Sequence, residues 1–138
     1  MSHLEIYIDG ASKGNPGHSG VGIVIYQEGL RIKNISNYIG VATNNVAEYT
    51  ALVYALEEAL LLKAKSLKIN TDSQLLARQL NKIYKVKHVG IINLYNRAVH
   101  LLTGFEKVLI NHIPREENSL ADKLATEAVK AAIAKSLI

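Results

Sequence analysis

At 138 residues, 49% hydrophobic and 20% charged, the chain has the length and makeup of one folded domain rather than a disordered or fibrous chain. It contains no cysteine, which excludes disulfides, thiolate metal sites and a cysteine nucleophile. A formal net charge of +4 leans toward polyanionic partners.

Residues 1–8 carry no basic region followed by a long apolar run, so no secretory signal is expected. The longest apolar stretch, 51–62, is interrupted by Glu57 and Glu58 and is too short to span a bilayer. No linker, repeat or low-complexity segment appears. The expectation is a single cytoplasmic domain over 1–138, with no membrane association and no obligate protein partner. Residues 131–138 form an apolar C-terminal tail.

In chain order, residues 4–8 are a β-rich run that stops at Asp9-Gly10. Residues 14–17, Gly-Asn-Pro-Gly, carry turn chemistry. Residues 21–26 and 31–39 read as two further strands, parted by Glu28-Gly29, and the three strands predict an antiparallel meander. From Asn45 the period becomes helical to about residue 63, with Leu52, Ala55, Leu56 and Ala59 on one face. A short strand at 67–71 and a short helix at 73–80 follow, then a polar, basic stretch at 81–88. Residues 89–102 predict a helix with Ile92, Tyr95, Val99 and Leu102 inward. The last strand is 106–113, ended by Pro114. A final helix runs from 118 to about 135, with Ala121, Leu124, Ala125, Ala128 and Ala132 inward. A meander followed by βα crossovers gives an α/β fold: a mixed five-stranded sheet, three antiparallel strands then parallel crossovers, with helices on both faces.

Four acids stand where carboxylates need a reason. Asp9 and Asp72 each end a β-rich run, so on adjacent parallel strands they are neighbours at one sheet edge. Turn and cap roles compete, because Asp-Gly is a favoured turn pair and an Asp before a helix a favoured N-cap. Glu48 shares the apolar stripe of its helix, where a charge is costly unless compensated; the alternative is a capping box with Asn45. Asp122 holds an early-turn position in the last helix, where the helix dipole favours an acid in any case. Converging on one edge, the four would repel one another, and hard divalent cations bound through oxygen are the natural compensation. Two such ions about 4 Å apart serve in-line displacement at a phosphodiester.

Four segments carry a resemblance. Residues 7–17 (YIDGASKGNPG), 43–48 (TNNVAE), 70–74 (NTDSQ) and 114–125 (PREENSLADKLA) closely resemble type 1 ribonuclease H, in family order and at family-like spacing. The resemblance implies a ribonuclease H-like fold and an endonuclease that cuts the RNA strand of an RNA–DNA hybrid, leaving 5′-phosphate and 3′-hydroxyl ends. It implies Asp9, Glu48, Asp72 and Asp122 as catalytic carboxylates holding two Mg²⁺ ions, with Mn²⁺ able to substitute. It further implies that Ser12, Asn15, Asn44 and Gln74 sense the RNA strand, Asn45 the DNA strand, and Thr43 a DNA phosphate. Turn, cap and solvated-surface roles compete at each of these.

Two departures from the family pattern stand out. Many bacterial members insert a basic helical handle where only residues 81–88 lie here, with Lys82, Lys85, Lys87 and His88 as a reduced patch or a solvated loop. The mobile histidine that members use near the product phosphate falls, without gaps, on His112, inside the last predicted strand. Arg115, just beyond that strand, is the better-placed group and joins the catalytic set. Three other readings compete: a resolvase- or integrase-like core, a hybrid-binding module without catalysis, and a structural metal domain. The Asn44-Asn45 pair and the 14–17 turn oppose the first, the complete set of carboxylates the second, and the polar minor-groove set the third.

Overall fold

A computed structural model describes residues 2–82 and 85–137. The chain runs β1 (His3–Gly14), β2 (Gly17–Gln27), β3 (Leu30–Ala42), α1 (Asn44–Leu61), β4 (Ser66–Thr71), α2 (Gln74–Leu80), α3 (Val89–Leu102), β5 (Lys107–His112), a 3-10 turn (Arg115–Glu117) and α4 (Ser119–Ser136). The sheet order is β3-β2-β1-β4-β5. β1–β2 and β2–β3 are antiparallel, whereas β1–β4 and β4–β5 are parallel. This is the mixed five-stranded sheet that the sequence predicts.

Alternation along β1 decides what each face does. Leu4, Ile6 and Ile8 are buried against α1 together with Ile23 and Ile25 of β2 and Leu52 and Leu56 of the helix. Leu52, Ala55, Leu56 and Ala59 are all buried, as their spacing predicts. The opposite face takes α4, whose Ala121, Ala125 and Ala128 lie on β2. A Cβ on Gly22 would sit 2.0 Å from the Ala121 carbonyl oxygen, so the helix rests directly on strand backbone.

Several boundaries differ from expectation. β1 continues past Asp9 to Gly14, because its antiparallel pairing with β2 persists to Gly14↔Gly17. Asp9 therefore leaves only the parallel ladder, whose last pair is Ile8↔Thr71. In α3 the buried residues are Ile91, Ala98 and Leu101, while Val99 is 39% exposed. The predicted stripe is thus rotated by one residue, about 100° at 3.6 residues per turn. Two apolar stripes lie side by side on this helix, and small Ala98 faces inward while Tyr95 meets Tyr49 edge-on at 6.4 Å. In α4, Leu124 and Ala132 are only half-buried.

Helix α4 runs to Ser136 and takes in most of residues 131–138; Ile138 lies outside the described residues. In the basic stretch 81–88, residues 83 and 84 lie outside them too, and His88 serves as N-cap of α3, its Nδ1 accepting from the Gly90 amide at 3.1 Å. No helix among the described residues is long and apolar enough to cross a membrane.

Candidate active site

Register brings the first two acids together. Ile8 pairs with Thr71, and Asp9 and Asp72 are the next residues of adjacent parallel strands, at the carboxyl edge where such sheets bind ligands. Asp9 is 5% exposed. Asp72 is not the cap of α2: the Ser73 hydroxyl takes that role, accepting from the Leu76 amide at 3.2 Å. Its carboxylate is left to the site.

Glu48 arrives from α1. The cap of that helix is Thr43, whose hydroxyl accepts from the Val46 amide at 3.2 Å, so the capping box from Asn45 does not form. Instead Glu48 Oε1 accepts from the Gly10 backbone amide at 2.7 Å. Strand and helix approach so closely here that a Cβ on Gly10 would lie 2.3 Å from the Ala47 carbonyl carbon. Oxygen atoms of Asp9, Glu48 and Asp72 all fall within 4.8 Å of one another. Asp122, in the first turn of α4, stands outside that group but lines the same cleft, and its carboxylate adds to the raising of Asp9.

The cluster is held against its own charge. Burial, then the charges of Glu48 and Asp72, push Asp9 up to about 9. Burial likewise raises Glu48 to about 8, against the opposing pull of the Gly10 amide and Arg115. Asp72 is raised by burial, while the Asn118 amide and the Arg115 guanidinium pull it down. All-oxygen donors at this spacing, without histidine or sulfur, suit a hard divalent cation, which would neutralise what the fold leaves uncompensated. Over the acids opens a cleft of about 550 Å³, whose wall adds Ser12, Asn44, Arg115 and Thr126.

A family model described as reverse transcriptase-like matches residues 7–128. The chain is 41% identical over 127 residues to the ribonuclease HI of Halobacterium salinarum, covering 91% of this chain and 64% of that one. The solved RNase H1 from that archaeon superposes at TM-score 0.91, with 40% identity, over 94% of this chain and 98% of the other. The chain belongs to the type 1 ribonuclease H family. A further RNase H1, crystallised in complex with RNA/DNA hybrid, superposes at TM-score 0.89 with 38% identity, over 94% of this chain and 99% of that one. Against a bifunctional protein of Mycobacterium tuberculosis the identity is 38% over 129 residues, 92% of this chain but 35% of the relative. The chain thus spans about a third of the length of that mycobacterial relative.

The polar residues singled out by sequence divide into two groups. Ser12 and Asn44 line the cleft. The Ser12 hydroxyl contacts that of Ser19 and donates to the Ala42 carbonyl at 2.7 Å. Asn15 sits in the β1–β2 turn, where its Oδ1 accepts from the Asn44 amide at 3.0 Å and ties the turn to the start of α1. Thr43 caps α1, while Asn45 and Gln74 are exposed in the first turns of α1 and α2. Arg115 reaches the cleft from the 3-10 turn. His112 ends β5, exposed, its Nε2 donating to the Asp72 backbone oxygen at 3.3 Å.

Asn118 escaped the sequence reading, which took it only as the start of the last helix. It is 1% exposed, and its Nδ2 donates to the Ile8 carbonyl at 2.8 Å and to Asp72 Oδ2 at 3.4 Å. Its Oδ1 is buried without a hydrogen-bond partner among the described residues. The trace in the sequence was the residue itself: an asparagine four before Asp122, inside the 114–125 segment. Thr126, one turn after Asp122, was also passed over.

Proposed function

We propose that this chain is a metal-dependent endonuclease that hydrolyses the RNA strand of an RNA–DNA hybrid, leaving 5′-phosphate and 3′-hydroxyl ends. The observation that carries the reading is the convergence of Asp9, Glu48 and Asp72 within 4.8 Å beneath an open cleft, with no histidine or sulfur among them. Binding of hybrid is carried over from the RNase H1 solved with RNA/DNA hybrid at 38% identity.

Asp9, Glu48, Asp72 and Asp122 are the residues to hold two Mg²⁺ ions, with Mn²⁺ able to substitute. Bound there, such ions supply an activated water and charge stabilisation for the leaving oxygen of an in-line displacement. The chain's own groups do the positioning. The Gly10 amide aims Glu48, Asn118 steadies Asp72, and the Arg115 guanidinium is placed to hold a phosphate oxygen through two bonds. Ser12, Asn15, Asn44 and Gln74 are the groups to meet the RNA strand, with Asn45 nearer the DNA strand and Thr43 at a DNA phosphate. The 2′-hydroxyl that separates RNA from DNA lies in the wide, shallow minor groove such groups can enter. A cytoplasmic location accords with these substrates.

The test is an end-labelled RNA–DNA hybrid, duplex DNA and duplex RNA, each incubated with Mg²⁺, Mn²⁺ or EDTA. Cleavage of the RNA in the hybrid with either ion, and none in EDTA, is expected. Cleavage that persists in EDTA, or an uncut hybrid, would refute the reading.

A further inference from the structure

Two rails run outward from the carboxylates. Beyond Asp9, β1 continues with Ala11 and Lys13 on the same face, because successive strand residues alternate. Beyond Asp122, α4 presents Thr126 and Lys130 at i+4 and i+8 on one face. Strand rise places Lys13 about 13 Å from Asp9, and helix rise places Lys130 about 12 Å from Asp122. Both rails end in a lysine. Between them lies a groove of about 290 Å³, lined by Ala11, Ser12, Lys13, Thr126, Val129 and Lys130. Three of these residues, Ala11, Ser12 and Thr126, also line the catalytic cleft, so the two cavities are continuous.

Among the described residues neither lysine makes an ion pair. Glu127, on the same helix, is paired with Lys123 at 3.9 Å. The groove has no aromatic or amide side chain to stack on or read a base, only two ammonium groups, two hydroxyls and apolar floor. Such a lining recognises a sugar-phosphate backbone and not a sequence.

We propose that the Lys13–Lys130 groove is a phosphate-binding subsite for the strand being cut, gripping the RNA backbone within a few nucleotides of the scissile phosphate. This rests on the hybrid-cleaving reading above. Continuity with the cleft assigns the groove to the strand whose phosphodiester lies over the carboxylates. It also gives this chain an electrostatic grip close to the chemistry.

The experiment compares wild type, Lys13→Ala/Lys130→Ala and Lys13→Arg/Lys130→Arg, binding labelled hybrid in EDTA over a series of salt concentrations. Both lysines are exposed, so all three proteins are expected to melt together. The alanine pair should lower the slope of log affinity against log salt by about 0.9 for each phosphate no longer neutralised, and the arginine pair should restore it. In turnover, the alanine pair should raise KM and leave kcat unchanged. Neutral methylphosphonate linkages, scanned along each strand, then locate the subsite on the hybrid. One to two positions in the RNA strand near the cut should weaken wild type and leave the alanine pair unaffected. An unchanged salt slope, or sensitivity confined to the DNA strand, would overturn the subsite. If wild type cleaves hybrid and the alanine pair matches it throughout, only the subsite fails. A wild type that does not cleave hybrid removes the underlying reading as well.

Discussion

The Gly10 backbone amide donates to Glu48 Oε1 at 2.7 Å, joining the strand that carries Asp9 to the helix that carries Glu48. A hydrogen bond to a charged acceptor contributes about 1.5–3 kcal/mol, and this one offsets part of what burial costs the glutamate. It forms only because residue 10 has no side chain. A Cβ there would meet Ala47 at 2.3 Å and the Glu48 amide nitrogen at 2.4 Å, both helix backbone. Gly10→Ala must therefore push α1 off β1. The variant is expected to lose about 1–3 kcal/mol of stability and most of its activity, read as a lower urea midpoint and a lower kcat.

Asp9→Asn should abolish cleavage and yet melt no lower than wild type in metal-free buffer. Asp9 is raised from 3.8 to about 9, so the folded protein holds this proton more tightly than the unfolded chain does. Its contribution is fully present below about pH 4 and is lost as pH rises toward 9. Metal-free wild type should accordingly lose stability across that window, and Asp9→Asn should flatten the loss. Adding Mg²⁺ at pH 8 should raise the melting temperature of wild type and leave Asp9→Asn nearly unmoved. A variant that melts well below wild type without metal contradicts the assignment of repulsion to this cluster.

Asn118→Ala strips Ile8 and Asp72 of a shared donor. A loss of about 1–3 kcal/mol follows from the unsatisfied buried carbonyl alone. Freed of its tether, Asp72 should also need more Mn²⁺ to reach half-maximal thermal stabilisation. An unchanged Mn²⁺ midpoint would leave Asn118 with a purely structural part.

Arg115→Ala should lower kcat by more than His112→Ala does. The guanidinium lines the cleft and offers a planar fork of donors that suits a phosphate, whereas the His112 ring lies at the strand end with a bond to the Asp72 carbonyl. If His112 carries the step instead, kcat will fall further in His112→Ala than in Arg115→Ala.

The element order, the sheet, the carboxylates and their helices were legible because each rests on local pattern: strand alternation, a 3.6-residue period, or a short motif. What was not legible depends on partners distant in sequence. The first strand reads as stopping at Asp9-Gly10, because residues 10–14 carry glycines and polar residues, yet pairing with β2 keeps them in the sheet. Thr43 caps α1 and Glu48 takes its hydrogen bond from the Gly10 amide, 38 residues away, so the capping box that Asn45 and Glu48 offered does not form. In α3, the two apolar stripes differ little, and packing against α1 chose the one with Ala98. Asn118 looked like an ordinary helix start because its partners, Ile8 and Asp72, are 110 and 46 residues away.

A carboxylate centre that cuts RNA, and is directed there by the 2′-hydroxyl, must tell a ribonucleotide from its deoxyribose neighbours within one strand. The most direct measurement uses a duplex whose labelled strand is deoxyribose except for one tract of four ribonucleotides, incubated with Mg²⁺ and resolved at single-nucleotide level. Cuts confined to the tract or its edge, with 5′-phosphate ends and none in an all-deoxy control, are the predicted result. Equal cutting along the deoxyribose flanks or of the control duplex would contradict it.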